Sequence, residues 1–160
     1  MAEATQTELD GVQAAMAERN FAGALRALDE LLEQSPEHGD ALYFKAVCLR
    51  YLQRFAAAGE VLDALLQLYP NNGRAYQELG HWYRDQGLTE DALAAYTQAC
   101  QQNPALAAAF NARVQILRKL GRDGEAARVY NQLQHLQRLP KPLVAVMDLM
   151  HQGKLLKAED

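Results

Sequence analysis

Apolar side chains recur along this chain three and four residues apart, in blocks separated by short polar turns. Tyr76, Leu79, Gly80 and Tyr83 stand at i, i+3, i+4 and i+7, the spacing of one face of an amphipathic helix. "DQGLTED" interrupts that pattern. Gly87 suits a left-handed helix end and Thr89 a side-chain cap on the next helix. Ala92, Tyr96 and Ala99 then form the apolar stripe of a second helix. Pro104 follows it, where a helix does not continue.

The block repeats. Prolines at 36, 70 and 104 are 34 residues apart, and so are alanines at 24, 58, 92 and 126. Aligned on that period, the chain divides into four units, 5–38, 39–72, 73–106 and 107–138. A fixed period of this length marks stacked supersecondary units. Each unit reads as two antiparallel helices joined by a tight turn. In an isolated helix Gly80 costs about 1 kcal/mol relative to alanine. Close approach of the second helix explains it: glycine on one helix and Ala92 on the other leave room for Tyr76, Tyr83 and Tyr96 to fill the surroundings.

Tyr76, Leu79, Gly80, Tyr83, Ala92, Tyr96, Ala99 and Pro104 together resemble a tetratricopeptide repeat, whose 34-residue pattern they follow in register. The second unit keeps Leu42, Ala46, Leu49, Ala58, Leu62, Leu65 and Pro70. The fourth keeps Phe110, Leu117, Gly121, Ala126, Tyr130 and Leu133, but has Val114 where a small residue is expected and Arg138 in place of proline. The first has Glu8 and Gly11 at usually apolar positions, followed by a regular second helix with Phe21, Ala24, Leu28, Leu31 and Pro36. The resemblance implies an all-α, right-handed solenoid of about four helix pairs, followed by a C-terminal helix. It also implies a protein–protein interaction module rather than an enzyme, binding an extended peptide or a partner helix in the concave groove.

By that family's geometry the groove-facing positions include Tyr43, Val47 and Arg50 in the second unit, Arg74, Gln77, His81 and Arg84 in the third, and Asn111, Gln115 and Arg118 in the fourth. Arg50, Arg84 and Arg118 are 34 residues apart and would form a ladder. Guanidinium groups suit carboxylates or phosphates, so the expected partner is acidic. The other reading of the ladder is helical preference and favourable charge at each helix C-terminus. Some family members grip a C-terminal carboxylate; the corresponding positions here are Leu9, Gln13, Phe44, Arg74 and Glu78, of which only Arg74 suits that ligand.

Composition narrows the function further. The net charge of −4 over 160 residues and a pI near 5.6 give no basic stripe for nucleic acid. No apolar run approaches the roughly 20 residues of a membrane span, and the N-terminus lacks a signal-peptide pattern, so a cytoplasmic location is expected. Cys48 and Cys100 form no metal-ligand spacing and read as buried, reduced thiols. His81 and Asp85, at i and i+4, lack a third ligand candidate; no metal, cofactor or catalytic motif is expected. Trp82 reads as packing at a unit interface or as an anchor at the groove edge.

Residues 139–160 read as a capping helix or as the start of a fifth, truncated unit, with Gly153 and Ala158 matching Gly121 and Ala126. The second alternative implies an N-terminal piece of a longer protein. This stretch also resembles the middle of bacterial proteins that join such repeats to a sulfotransferase domain. That resemblance carries no catalytic residue, and would make the chain a regulatory or substrate-presenting arm of a larger enzyme. A further expectation is self-association through an apolar face of Leu143, Val146, Met147 and Met150.

Overall fold

Periodicity in the sequence becomes periodicity in helix ends. The computed structural model describes residues 2–152, with side chains from residue 5 onward. These form nine helices and no strand: α1 (Ala2–Ala17), α2 (Phe21–Gln34), α3 (Gly39–Tyr51), α4 (Phe55–Leu68), α5 (Gly73–Asp85), α6 (Thr89–Gln102), α7 (Ala107–Lys119), α8 (Asp123–Arg138) and α9 (Lys141–Gln152). The odd-numbered helices α1 to α7 end at residues 17, 51, 85 and 119, spaced by 34. Helices α2, α4 and α6 end at residues 34, 68 and 102, just before the prolines. α8 runs two residues beyond the equivalent point, because Arg138 stands where its siblings have proline and lets the helix continue. Gly153 and Ala158 lie outside the described residues.

The chain divides into two compact units, Met1–Leu68 and Tyr69–Asp160. In the first, α1 packs on α2, α2 on α3 and α3 on α4. Leu28, Ala41, Ala46, Ala58, Leu62 and Leu65 are completely buried there. In the second, α5 packs on α6, α6 on α7 and α7 on α8. Tyr96, Ala92, Ala99 and Ala109 are completely buried in it, with Tyr76, Tyr83, Val144 and Met147 packed against the same core.

Each helix pair is closed by the same turn. Arg19, Gln53, Gly87 and Gly121 have φ of 61°, 60°, 79° and 74°, and they too are 34 apart. The amide after each left-handed residue bonds back to the fifth residue before it: Asn20 N to Ala15 O at 2.8 Å, Arg54 N to Leu49 O at 2.8 Å, Leu88 N to Tyr83 O at 3.0 Å and Arg122 N to Leu117 O at 2.8 Å. This is the Schellman arrangement, which satisfies carbonyls at a helix end. Glycine adopts the conformation freely at two sites; arginine and glutamine bear a steric penalty at the other two. Thr89 does not cap α6, contrary to the sequence expectation. The cap position is Leu88, with no side-chain hydrogen bond, and Thr89 is already the first helical residue. Glu90 and Asp91 supply favourable charge in that first turn instead.

The closest contact made by Gly80 is with Tyr96. A Cβ on Gly80 would stand 2.6–2.9 Å from three carbons of the Tyr96 ring. The equivalent pair in the first unit is Ala46 with Leu62, both completely buried. At the third equivalent pair the sizes invert: Val114 is 2% exposed and Tyr130 is 39% exposed. A branched side chain takes the space that glycine leaves to a ring, so the ring turns outward. This accounts for the departure at Val114 seen in the sequence.

Candidate functional site

The first-helix positions expected to face a ligand are found in very different surroundings. In the first unit, Tyr43 is half-buried with its ring 5.5 Å from that of Phe44. Val47 is buried. Arg50 is only 8% exposed, and its guanidinium lies 4.7 Å from the Tyr51 ring centroid. In the second unit, Arg84 is exposed and its Nε is 3.9 Å from Asp85 Oδ1. Arg118 is exposed too and lies 5.4 Å from the centroid of the out-turned Tyr130. Two of the three ladder arginines therefore reach solvent, while the third is enclosed.

Along α5 the same helix face carries Arg74, Gln77, His81 and Arg84. Asn72 caps this helix, its Oδ1 accepting from the amides of Arg74 at 3.1 Å and Ala75 at 3.4 Å. That cap sets the position of the first turn, where Arg74 sits. Gln77 is buried and its Oε1 accepts no hydrogen bond. His81 Nδ1 shares a 2.5 Å hydrogen bond with the hydroxyl of the fully buried Tyr96. Asn111 and Gln115 on α7 are exposed. Trp82 is half-buried, edge-on to Tyr83 at 5.2 Å.

Arg74 is brought to a residue that the sequence does not single out. Its Nη2 donates to Asp148 Oδ2 of α9 at 2.7 Å. Asn103 Nδ2 donates to Asp148 Oδ1 at 2.9 Å. The partners are 74 and 45 residues apart, so no local spacing announces them. The available signal was a lone carboxylate inside the apolar stretch "LVAVMDLM". On α9, Met147 packs inward, while Leu143, Val146, Leu149 and Met150 are 46%, 51%, 64% and 68% exposed. The exposed apolar face therefore contains Leu149 in place of the expected Met147.

Other chemistry is sparse. Both cysteines are buried and in no disulfide, and burial raises the pKa of the Cys100 thiol despite the nearby Arg113, which keeps it protonated at neutral pH. Arg122 and Glu125 form a two-point ion pair at 2.8–2.9 Å; their hydrogen bond raises the arginine pKa and lowers that of the carboxylate. Among the described residues, no three His, Cys, Asp or Glu side chains are grouped to hold a metal. No described helix is long and apolar enough to cross a membrane.

The profile of the tetratricopeptide repeat matches residues 9–73 and 78–140, well over half of the chain. A search of the curated proteins gives no match. Among solved structures, a crystal structure of MamA superposes with a TM-score of 0.72 at 19% identity, over 82% of this chain and 77% of that one. MamA from Desulfovibrio magneticus RS-1, from residue 41 to the end, gives 0.70 at 22% identity over 83% and 75%. A further MamA crystal structure gives 0.67 at 19% identity over 97% and 91%. At these identities the likeness shows the fold. The resemblance of residues 139–160 to a sulfotransferase junction finds no support in these matches, nor does the enzyme-arm reading built on it.

Proposed function

Since the chain belongs to the tetratricopeptide repeat family, we propose that it is a non-enzymatic scaffold module that binds an extended acidic peptide along the first helices of its second unit. Arg74, Gln77, His81 and Arg84 of α5 and Asn111, Gln115 and Arg118 of α7 are the contact residues of this reading. Tyr43, Val47 and Arg50 are their counterparts on α3. The observation that carries it is Gln77. A buried amide oxygen without a donor costs about 1–3 kcal/mol, and this one lies on the α5 face that also carries Arg74 and Arg84. A peptide backbone N–H would satisfy it, while Arg84 and Arg118 receive carboxylates. The fold supplies the rigid framework, and the ligand follows from these side chains rather than from the architecture.

The test titrates labelled, Glu- and Asp-rich twelve-residue peptides into the full chain. Arg84→Glu together with Arg118→Glu should weaken binding at least tenfold and leave the helical circular dichroism unchanged, because each charge-assisted bond is worth roughly 1.5–3 kcal/mol. Equal affinity in the double variant would refute the acidic-peptide reading.

The exposed face of α9 supports a second reading, self-association. Leu143, Val146, Leu149 and Met150 form an apolar strip on a helix with no buried residue, of a kind that marks interaction surfaces. Sedimentation velocity should show a concentration-dependent dimer that Val146→Glu with Met150→Glu dissolves. A monomer at every concentration tested in the parent chain would exclude it.

A further inference from the structure

α9 is held to the second unit by few groups. None of its residues is buried. Val144 and Met147 touch the core, and beside Met147 an apolar cavity of about 430 Å³ remains, lined by Pro104, Phe110, Leu136 and Leu139 among others. That open seat also has Asn131, Gln132 and His135 in its lining, and against it stands a closely defined polar one. Asp148 is the only acidic residue of α9. Its Oδ2 accepts from Arg74 Nη2 at 2.7 Å and from Gln152 Nε2 at 3.1 Å, and its Oδ1 accepts from Asn103 Nδ2 at 2.9 Å.

The Asn103 part of this contact is built independently of α9. Asn103 is 3% exposed. Its Oδ1 accepts the Ala105 amide at 3.0 Å, which leaves its Nδ2 hydrogens directed at the ligand. Its Cβ lies against the first residue of α5: a Cβ on Gly73 would come within 2.7 Å of it. Glycine at that point therefore lets the end of α6 meet the start of α5, one residue before Arg74. Asn103 is thus held toward the carboxylate without help from α9, which lowers the cost of binding, and Arg74 completes the seat from the first turn of α5.

We propose that Arg74 and Asn103 form a receptor for a side-chain carboxylate carried on an amphipathic helix, that Asp148 occupies it in cis, and that a partner helix takes it by displacing α9. This goes beyond the extended-peptide reading, shares Arg74 with it, and rests on it only for the existence of a protein partner. The partner chemistry follows from the seat: an Asp or Glu immediately after an apolar residue larger than methionine, whose side chain would reach further into the space beside Met147. Such a ligand differs from a chain-terminal carboxylate, because the charge is on a side chain in mid-helix.

The test has two arms on the full chain. In the first, amide hydrogen exchange is read across α9. Asp148→Ala and, separately, Asn103→Ala should each accelerate exchange in α9 at least tenfold while the amides of α7 keep their protection. Unchanged α9 exchange in both overturns the proposal, and this arm does not depend on any partner. In the second, labelled peptides with the sequence of residues 141–152 are titrated into the parent chain and into Asp148→Ala. The peptide should bind the Asp148→Ala chain at least tenfold more tightly than the parent. Phenylalanine at the Met147 position should tighten binding, and asparagine at the Asp148 position should weaken it tenfold or more. Equal binding of the aspartate and asparagine peptides overturns the receptor, whereas failure of the extended acidic peptides above leaves both arms unaffected. A parent-chain dimer held by exchanged α9 helices, dissolved by Asp148→Ala, would assign the seat to a second copy and overturn the partner reading.

Discussion

Gly80→Ala is expected to lower folding stability by about 1–3 kcal/mol, the usual range for overpacking a filled core, although the same exchange in an isolated helix raises helix stability by about 1 kcal/mol. The added methyl would meet Tyr96 Cε1 at 2.6 Å, Cδ1 at 2.7 Å and Cγ at 2.9 Å. Contacts that short require one side to move. The ring is completely buried, and its hydroxyl is tied to His81 Nδ1, so it is restrained at both ends. Removing the ring reverses the sign. In a Tyr96→Ala background, which itself costs about 3–5 kcal/mol, Gly80→Ala should become neutral or stabilising by up to about 1 kcal/mol, because only helix preference is left. Urea midpoints at constant m-value measure all four proteins of the cycle. A stabilising Gly80→Ala in the parent chain would show that the two helices are not locked together at this contact.

The parts of this architecture legible in the sequence are those that recur locally. The 34-residue period, the small residues at 24, 58, 92 and 126 and the prolines after the second helices each reflect a constraint met again in every hairpin. Gly87 announced its left-handed turn, which Gly121 repeats in register, since glycine is the residue that adopts φ near +75° without penalty. Arg19 and Gln53 did not. At those positions hairpin closure imposes the conformation on residues that do not prefer it, so only the register with Gly87 could have marked them. The candidate site was less legible for a related reason. Arg50, Arg84 and Arg118 occupy the same register, but exposure differs between them, because burial depends on neighbours that the period does not encode. The meeting of Arg74, Asn103 and Asp148 is non-local and occurs once. It left only a carboxylate in an apolar helix as a trace.

The repeated alanines carry the second large effect, and in the first unit it is independent of Tyr96. Ala24, Ala58, Ala92 and Ala126 are 1%, 0%, 0% and 2% exposed, so each second helix is closed off from solvent at that position. Ala58→Leu adds three carbons where no space is left. Leucine and alanine have similar helix preference, so local propensity neither masks nor mimics the result. The expected loss is about 3 kcal/mol, the upper end of the usual overpacking range. For a chain of this length that corresponds to a fall in Tm of roughly 6–12 °C. Ala56→Leu is the matched control: it lies two residues earlier on the same helix and is exposed, so its effect should stay within about 0.5 kcal/mol. Thermal melts of the two variants therefore separate helix-pair geometry from composition. If Ala58→Leu melts with Ala56→Leu, the layer between α3 and α4 accommodates a larger side chain, and close approach at the repeated alanine is not what sets the spacing of the pair.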